Sequence, residues 1–480
     1  MNKKAIYNAL GKILILLAFT MLVPLLVAFY YGEPPLKPFT VSILITFLAG
    51  LLLTRIKSSA EWQQKEALAI VALTWLSAAI FGGIPFLFEG VSFIDAVFET
   101  MSGFTSTGST IFVDIESYSR SLLFWRSFTQ WLGGMGIIVL FIAILPKLGV
   151  AGGRQLFRAE APGPTEDKLK PRIKDTAKIL WALYVLISAV EVVALMLAGM
   201  SLYDALTHTF AGMACGGYSP PYGLGIEAFN SPLIEFILTF FMFAAGANFA
   251  LYYRAIFIDS NFLLKDEEFR AYTFILLGFS GLLTLVLYKD MDFSLFNSFR
   301  YAIFQITSIM TATGFASTDF NLWTDSAKVL VFAVMFIGGC AGSTGGGMKV
   351  VRFLLMLKYA RRELFKFVHP RLIRPIRFNN KAVPDDVLQS ILSFVVIYIL
   401  VFIFSAMFLT LLGVDMISSA TASIATLGNI GPGFNVVGPM ANFSALPPPL
   451  GKIILINNMW VGRLEVYTVL VLFTSDFWHS

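Results

Sequence analysis

Four short polar loops recur in an otherwise apolar chain of 480 residues. They read Thr105-Ser106-Thr107-Gly108, Ala214-Cys215-Gly216-Gly217, Thr311-Ala312-Thr313-Gly314 and Gly428-Asn429-Ile430-Gly431. A closing glycine tolerates backbone conformations that other residues avoid, so successive carbonyls can face one axis. Rings of neutral carbonyl oxygens replace the water around a cation yet release it again, which is the chemistry of a cation selectivity filter. None of the four loops holds an Asp or Glu, which argues against a carboxylate ring. Candidate ion ligands are therefore Ser106, Thr107 and Gly108; Cys215, Gly216 and Gly217; Ala312, Thr313 and Gly314; and Asn429, Ile430 and Gly431. One such loop alone could be an ordinary threonine-rich turn; four in matched context point to one pore with pseudo-fourfold symmetry.

Something must hold these loops at membrane depth. Each follows an apolar run near 93–104, 202–213, 295–310 or 416–427. These runs are too short to cross the hydrocarbon layer, and read as re-entrant pore helices. Irregular backbone is tolerated there only inside protein or along a watery cavity. The runs open on Ser92 and Asp95, Ser201 and Asp204, Asp292 and Ser294, and Asp415, which is N-capping chemistry. The negative end of each helix dipole then points at its loop. Upstream of the loops stand Glu99, Thr207, Gln305 and Thr421, of which Glu99 either tunes the field near the filter or is a buried support.

Composition sets the wider frame. The chain is 57% hydrophobic and only 14% charged, with mean hydropathy +0.76, so it cannot cover a water-facing surface and is read as an integral membrane protein. A net charge of +5 does not argue for nucleic acid, and two cysteines, Cys215 and Cys340, make no disulfide scaffold or zinc site. The first apolar run is of spanning length without a small-residue cleavage site, so it reads as a helix rather than a signal peptide. The expected fold is all-α: spans near 11–31 and 39–54, then four helix–pore loop–helix units around a single pore. Their paired spans lie near 66–88 and 122–147, 177–199 and 232–256, 271–288 and 327–358, and 387–412 and 451–475. That makes about ten spanning helices, in a two-helix extension (1–60) and units 61–150, 151–260, 261–360 and 361–480.

The second span of unit three is interrupted by a glycine-rich segment, Gly338 to Lys349. Glycine costs about 1 kcal/mol in a helix interior relative to Ala, so this run should unwind and line a cavity below the filter. It reads as a mobile gate of Gly342, Ser343, Thr344, Gly345, Gly346, Gly347 and Lys349, or else as a close helix-packing patch. It is not a phosphate loop, because no Ser or Thr follows the lysine. Arg463 in the last span is either a positive barrier in the pore or half of a structural pair. Lys349 is ambiguous in the same way, and its side chain could reach the cytoplasmic surface. The segments Gln130 to Gly136 and Ala244 to Phe249 read as packing surfaces. The histidines form no metal set.

Lysine and arginine crowd one side: eight within 146–178, eight within 358–381, and more in 55–65 and 254–270. The positive-inside bias places these segments and both termini in the cytoplasm.

The four loops, the G-G-C-A-G-S-T-G-G-G interruption and the W-V-G-R-L-E segment together resemble the TrkH/KtrB family of bacterial potassium uptake proteins, and the two helices at the start resemble its longer TrkH/TrkG branch. The resemblance implies K⁺ translocation along the axis of the units, across the bacterial inner membrane. It implies a homodimer with one pore per protomer, set in membrane lipid, and a cytoplasmic ring of Rossmann-type TrkA subunits that bind ATP, ADP or NAD(H) and control the gate. It maps the filter to the loops ending at Gly108, Gly217, Gly314 and Gly431, the intramembrane loop to Gly338–Lys349, and the pore arginine to Arg463. Related plant transporters with serine at the first filter glycine admit sodium, so Gly108 favours potassium. No cofactor in this chain is implied, K⁺ being the transported ion. The alternative is a secondary transporter coupling K⁺ to H⁺ or Na⁺. An intramembrane enzyme would need a nucleophile with its base, or paired acids, and the chain offers neither.

Overall fold

The computed structural model describes residues 1–33, 37–56, 63–139, 172–219, 225–370 and 375–479. Most of the basic segment 146–178 expected on the cytoplasmic side, with Arg371 and Arg374, lies outside the described residues.

The N-terminal pair is α1 (Lys3–Thr20), continued by α2 (Leu22–Tyr30), packed on α3 (Lys37–Thr54). Gly11 and Gly50 face each other across this pair. A Cβ at Gly11 would lie 2.7 Å from the Gly50 carbonyl oxygen, the close approach that small residues permit between membrane helices.

Unit one contains α4 (Gln64–Gly82), the pore helix α5 (Phe93–Phe104) and α6 (Arg120–Val139). Unit two contains α7 (Arg172–Leu197), pore helix α8 (Leu202–Met213), α9 (Pro232–Ala245) and α10 (Phe249–Phe257). Unit three contains α11 (Glu267–Asp290), pore helix α12 (Leu295–Met310), α13 (Asp325–Met335) and α14 (Val350–Val368). A two-stranded hairpin, β1 (Arg377–Phe378) and β2 (Lys381–Ala382), leads into unit four. Its turn residues Asn379 and Asn380 both have positive φ, as a two-residue hairpin turn requires. Unit four contains α15 (Asp385–Leu411), pore helix α16 (Met416–Leu427) and α17 (Leu450–Arg463).

Six helical stretches among the described residues are long and apolar enough to cross a membrane uninterrupted, or seven if α9 and α10 count as one span bent by 93°. Part of the difference from the ten spans read from hydropathy is that hydropathy does not see breaks; the expected span 122–147, in turn, runs past Val139 to residues outside the described ones. The run 232–256 turns at Gly246-Ala247-Asn248, with Asn248 capping α10 through Ala250 N–H at 2.9 Å. The run 327–358 is two helices flanking the glycine-rich loop, and 451–475 stops as a helix at Arg463. All three breaks fall in the second span of a unit. The segment Ala244 to Phe249 contains a break and also packs as expected: the Gly246 carbonyl accepts from Cys340 N–H at 2.8 Å.

Candidate functional site

Each pore helix starts on the cap that its sequence implies. Ser92, Ser201, Ser294 and Asp415 accept hydrogen bonds from the N–H of Asp95, Asp204, Asn297 and Ser418. Each also ends in the same way. Ser106, Cys215, Ala312 and Asn429 are left-handed, with φ of 50°, 54°, 61° and 53°. The next residue in each loop, Thr107, Gly216, Thr313 or Ile430, donates its N–H to Ser102, Ala211, Ser308 or Ala425 at 2.7–2.8 Å. The left-handed residue itself donates to the carbonyl one residue further on, that of Gly103, Gly212, Ile309 or Thr426. This is the Schellman termination, four times over. Glycine is its usual left-handed residue; here four side-chain-bearing residues hold that position, each at a cost of about 1–2 kcal/mol.

The closing glycines are left-handed as well, with φ between 71° and 105°, and their environments interlock. A Cβ added to Gly108 would land on the Gly216 carbonyl oxygen, one on Gly217 on that of Thr313, and one on Gly314 on that of Ile430. A Cβ on Gly431 would lie 2.9 Å from the Thr107 carbonyl oxygen. The contacts run from loop one to two, two to three, three to four, and back to one. The loops form a closed ring, and all four glycines line one cavity of about 110 Å³.

The middle position of loop two is Gly216, where the others have Thr, Thr and Ile. The side chain of Gln130 from α6 fills the gap. Its Nε2 donates to the Gly216 carbonyl at 2.5 Å, and its Oε1 accepts from Tyr218 N–H at 3.2 Å. A Cβ at Gly216 would lie 2.5 Å from the Gln130 amide carbon. Gln130, read as part of a packing surface, is thus a wall of the loop ring. In loop four, Asn429 Nδ2 donates to Thr107 Oγ1 at 2.9 Å and to the Met459 carbonyl at 3.0 Å, tying loop four to loop one.

The quartet Glu99, Thr207, Gln305 and Thr421 needs correction. Counting back from the common N–H bonds, the residues equivalent to Glu99 and Gln305 are His208 and Ala422. Three of these pin the chain just beyond the closing glycine of the loop. Glu99 accepts from Thr110 Oγ1 at 3.0 Å and Ile111 N–H at 3.0 Å. His208 Nε2 meets Ser219 Oγ at 2.9 Å, and Gln305 Nε2 donates to the Phe315 carbonyl at 3.5 Å. Ala422 cannot, and Thr421 Oγ1 takes over by accepting from Phe434 N–H at 3.0 Å. Glu99 is buried and pairs with Arg126 Nε at 2.5 Å.

The glycine-rich segment 336–349 is non-helical, as its composition predicts, and lies against the inner ends of the pore helices. Thr344 Oγ1 donates to the Met213 carbonyl at 2.9 Å and meets Cys215 Sγ at 3.2 Å. A Cβ at Gly345 would lie 2.5 Å from the Thr311 carbonyl oxygen, and one at Gly346 the same distance from that of Gly428. Gly342 and Gly347 have positive φ, and Gly342 packs against Asn248 at the break between α9 and α10. The segment therefore touches the C-terminal ends of three pore helices, where their partial negative charges converge.

Two cationic side chains are buried at that point. Arg463 Nη1 donates to the Thr344 carbonyl at 2.8 Å and Nη2 to Ser106 Oγ at 3.2 Å. Its hydrogen bonds go to neutral oxygens, while Glu465 pairs with Arg352. Lys349 Nζ donates to the Gly345 carbonyl and reaches Ser343 Oγ at 3.5 Å. It is buried, so it does not extend to the cytoplasmic surface.

A loop ring, a severed helix beneath it and a buried arginine are a combination that can be compared with known proteins. The profile of the TrkH family, described as cation transport protein, matches residues 38–480. The chain belongs to the TrkH family. Among its relatives, the Trk system potassium uptake protein TrkH of Escherichia coli (strain K12) is 41% identical over 488 residues, covering 100% of both chains. The Trk system potassium uptake protein TrkG of the same organism is 33% identical over 484 residues, covering 99% of each. The crystal structure of the potassium transporter TrkH from Vibrio parahaemolyticus superposes with a TM-score of 0.90 at 37% identity, covering 100% of both chains. As a TrkH-family chain with multiple apolar spans, this is an integral membrane protein of the ion-transport class.

Proposed function

We propose that this chain takes up potassium across the bacterial inner membrane through a gated pore, with the four loops as its selectivity filter. The observation that carries this reading is the closed ring of glycine-on-carbonyl approaches from Gly108 round to Gly431. The second and fourth residues of each loop are left-handed, and in this reading that repeat turns the carbonyls toward a common axis. K⁺ exchanges its water for these oxygens, and the four pore-helix dipoles favour a cation at the inner end. The segment Gly338–Lys349 is the gate, latched by Arg463, and with Lys349 it places positive charge where a conducted ion would sit. Both termini face the cytoplasm, and the cavity beside the four glycines opens outward. In this reading the protein is a homodimer regulated by a TrkA-type cytoplasmic ring that binds ATP, ADP or NAD(H); the names of the relatives, potassium uptake proteins, support the ion it carries.

The test is ⁸⁶Rb⁺ flux into liposomes containing the chain, with and without the nucleotide-binding partner. Competition by K⁺ and not Na⁺ is expected; no flux from folded protein in either case overturns the channel-like reading. One observation favours the coupled alternative. Glu191 in α7 is fully buried, and neither carboxyl oxygen has a hydrogen-bond partner among the described residues, which suits a proton-carrying site. Uptake that collapses with the proton gradient, and is freed from it in Glu191→Gln, would select that alternative.

A further inference from the structure

The cavity shared by the four filter glycines has an unexpected lining for a cation pathway. Among the described residues, its one charged lining residue is Arg126. The residue is only 2% exposed, and its guanidinium lies 3.6 Å from the Tyr218 ring centroid. Its Nη1 has no hydrogen-bond partner among the described residues. A bare positive charge there would repel each arriving cation. Glu99 answers it from behind: it pairs with Arg126 Nε at 2.5 Å, is itself 1% exposed, and does not line the cavity. At such burial water screens neither charge well, so an ion in the cavity meets the pair as a dipole with its positive end foremost.

The pair is also wired into the filter. Tyr218, directly after Gly217, donates its hydroxyl to the Glu99 carbonyl at 2.7 Å. Ser109, directly after Gly108, donates Oγ–H to the Gly431 carbonyl at 3.0 Å. Units three and four brace the corresponding positions with the neutral Gln305 and Thr421. A charged pair is therefore not needed merely to hold such a strand.

We infer that Arg126 and Glu99 form a charge-balance element of the filter mouth, which sets the apparent affinity for monovalent cations and disfavours divalent ones. Arg126 supplies the positive field that an arriving ion meets, and Glu99 masks most of it. A divalent ion feels twice the repulsion of K⁺ in the same field, so a small residual field excludes it with little cost to K⁺. This inference rests on the proposal that cations pass through this cavity.

The experiment is ⁸⁶Rb⁺ influx into liposomes holding the full-length chain, read as half-saturation and as sensitivity to added Ca²⁺. Glu99→Gln unmasks the arginine and should raise the half-saturating concentration about tenfold. Arg126→Gln leaves an uncompensated carboxylate and should lower that concentration while making Ca²⁺ a stronger blocker. The double variant should return to within about twofold of wild type. A purely structural pair predicts that both single variants lose function in the same direction without rescue, and that result overturns the inference. Arg126→Lys keeps the positive charge but loses the guanidinium's stacking on Tyr218, so its sensitivity to Ca²⁺ should stay within about twofold of wild type even if the glutamine variants fail to fold; a Ca²⁺ block about tenfold stronger there overturns the inference equally. Failure of the filter proposal itself looks different: wild-type flux would not distinguish K⁺ from Na⁺, whatever the variants do.

Discussion

The side chain of Arg463 hydrogen-bonds the Thr344 carbonyl at 2.8 Å, fastening the end of α17 to the middle of the glycine-rich segment. Its second contact, to Ser106 Oγ at 3.2 Å, reaches the first filter loop. One residue thus links the glycine-rich segment, the proposed gate, to the first loop of the proposed filter, with a positive charge between them. Arg463→Ala removes both the latch and the barrier. Unregulated ⁸⁶Rb⁺ flux should rise by about tenfold, the scale of one unit charge near an ion path. Unchanged or reduced flux from folded protein would assign the arginine to structure alone.

Gln130 makes a narrower prediction. Gln130→Leu fills similar space but leaves the Gly216 carbonyl without its donor, and the lost hydrogen bond costs about 1–3 kcal/mol. Thermal unfolding should move modestly downward. The K⁺ over Na⁺ preference should fall, because the donor that orients one of the four ring carbonyls is gone. Loss of stability with selectivity intact would make Gln130 a packing residue only.

Gly346 tests the seat of the proposed gate. A methyl group there meets the Gly428 carbonyl oxygen at 2.5 Å, and forcing one into a packed interior costs about 1–3 kcal/mol. Because the strain falls on the segment beneath the filter, Gly346→Ala should dislodge it and raise basal flux. Gly278 in α11, whose added Cβ would meet nothing within 4 Å, provides the control: Gly278→Ala should leave flux as it was, since alanine suits a helix interior.

Much of this site is local in sequence, and that is why it can be read there. A capping residue, a twelve- or sixteen-residue apolar run and a glycine report directly on φ and on helix ends. Ser201, Asp415, Gly217 and Gly314 therefore occupy the places their types imply. The glycine-rich break is legible for the same reason, since six glycines between Gly338 and Lys349 cannot sustain a helix. What stays hidden depends on residues far apart in the chain. Gln130 serves a loop more than eighty residues away, and its one trace in the sequence is that Gly216 stands where the sister loops have Thr, Thr and Ile. Arg126 had a clearer signal, an arginine within an apolar span, which rarely faces lipid. Equivalent pore-helix positions escaped because side-chain type is a poor guide to register: Thr207 and Thr421 share chemistry, yet His208 and Ala422 are the true counterparts of Glu99. The breaks at Gly246 and after Arg463 escaped because hydropathy averages over them.

The most direct measurement of the central claim compares wild type with Gly108→Ser by ⁸⁶Rb⁺ flux under K⁺ and Na⁺ competition. Gly108 has φ of 86°, and a Cβ there would collide with the Gly216 carbonyl oxygen. The account predicts that K⁺ and not Na⁺ competes in the wild type, and that in the serine variant Na⁺ competes as well while flux persists. Equal competition by Na⁺ and K⁺ in the wild type, or a serine variant that folds and discriminates as the wild type does, would contradict it.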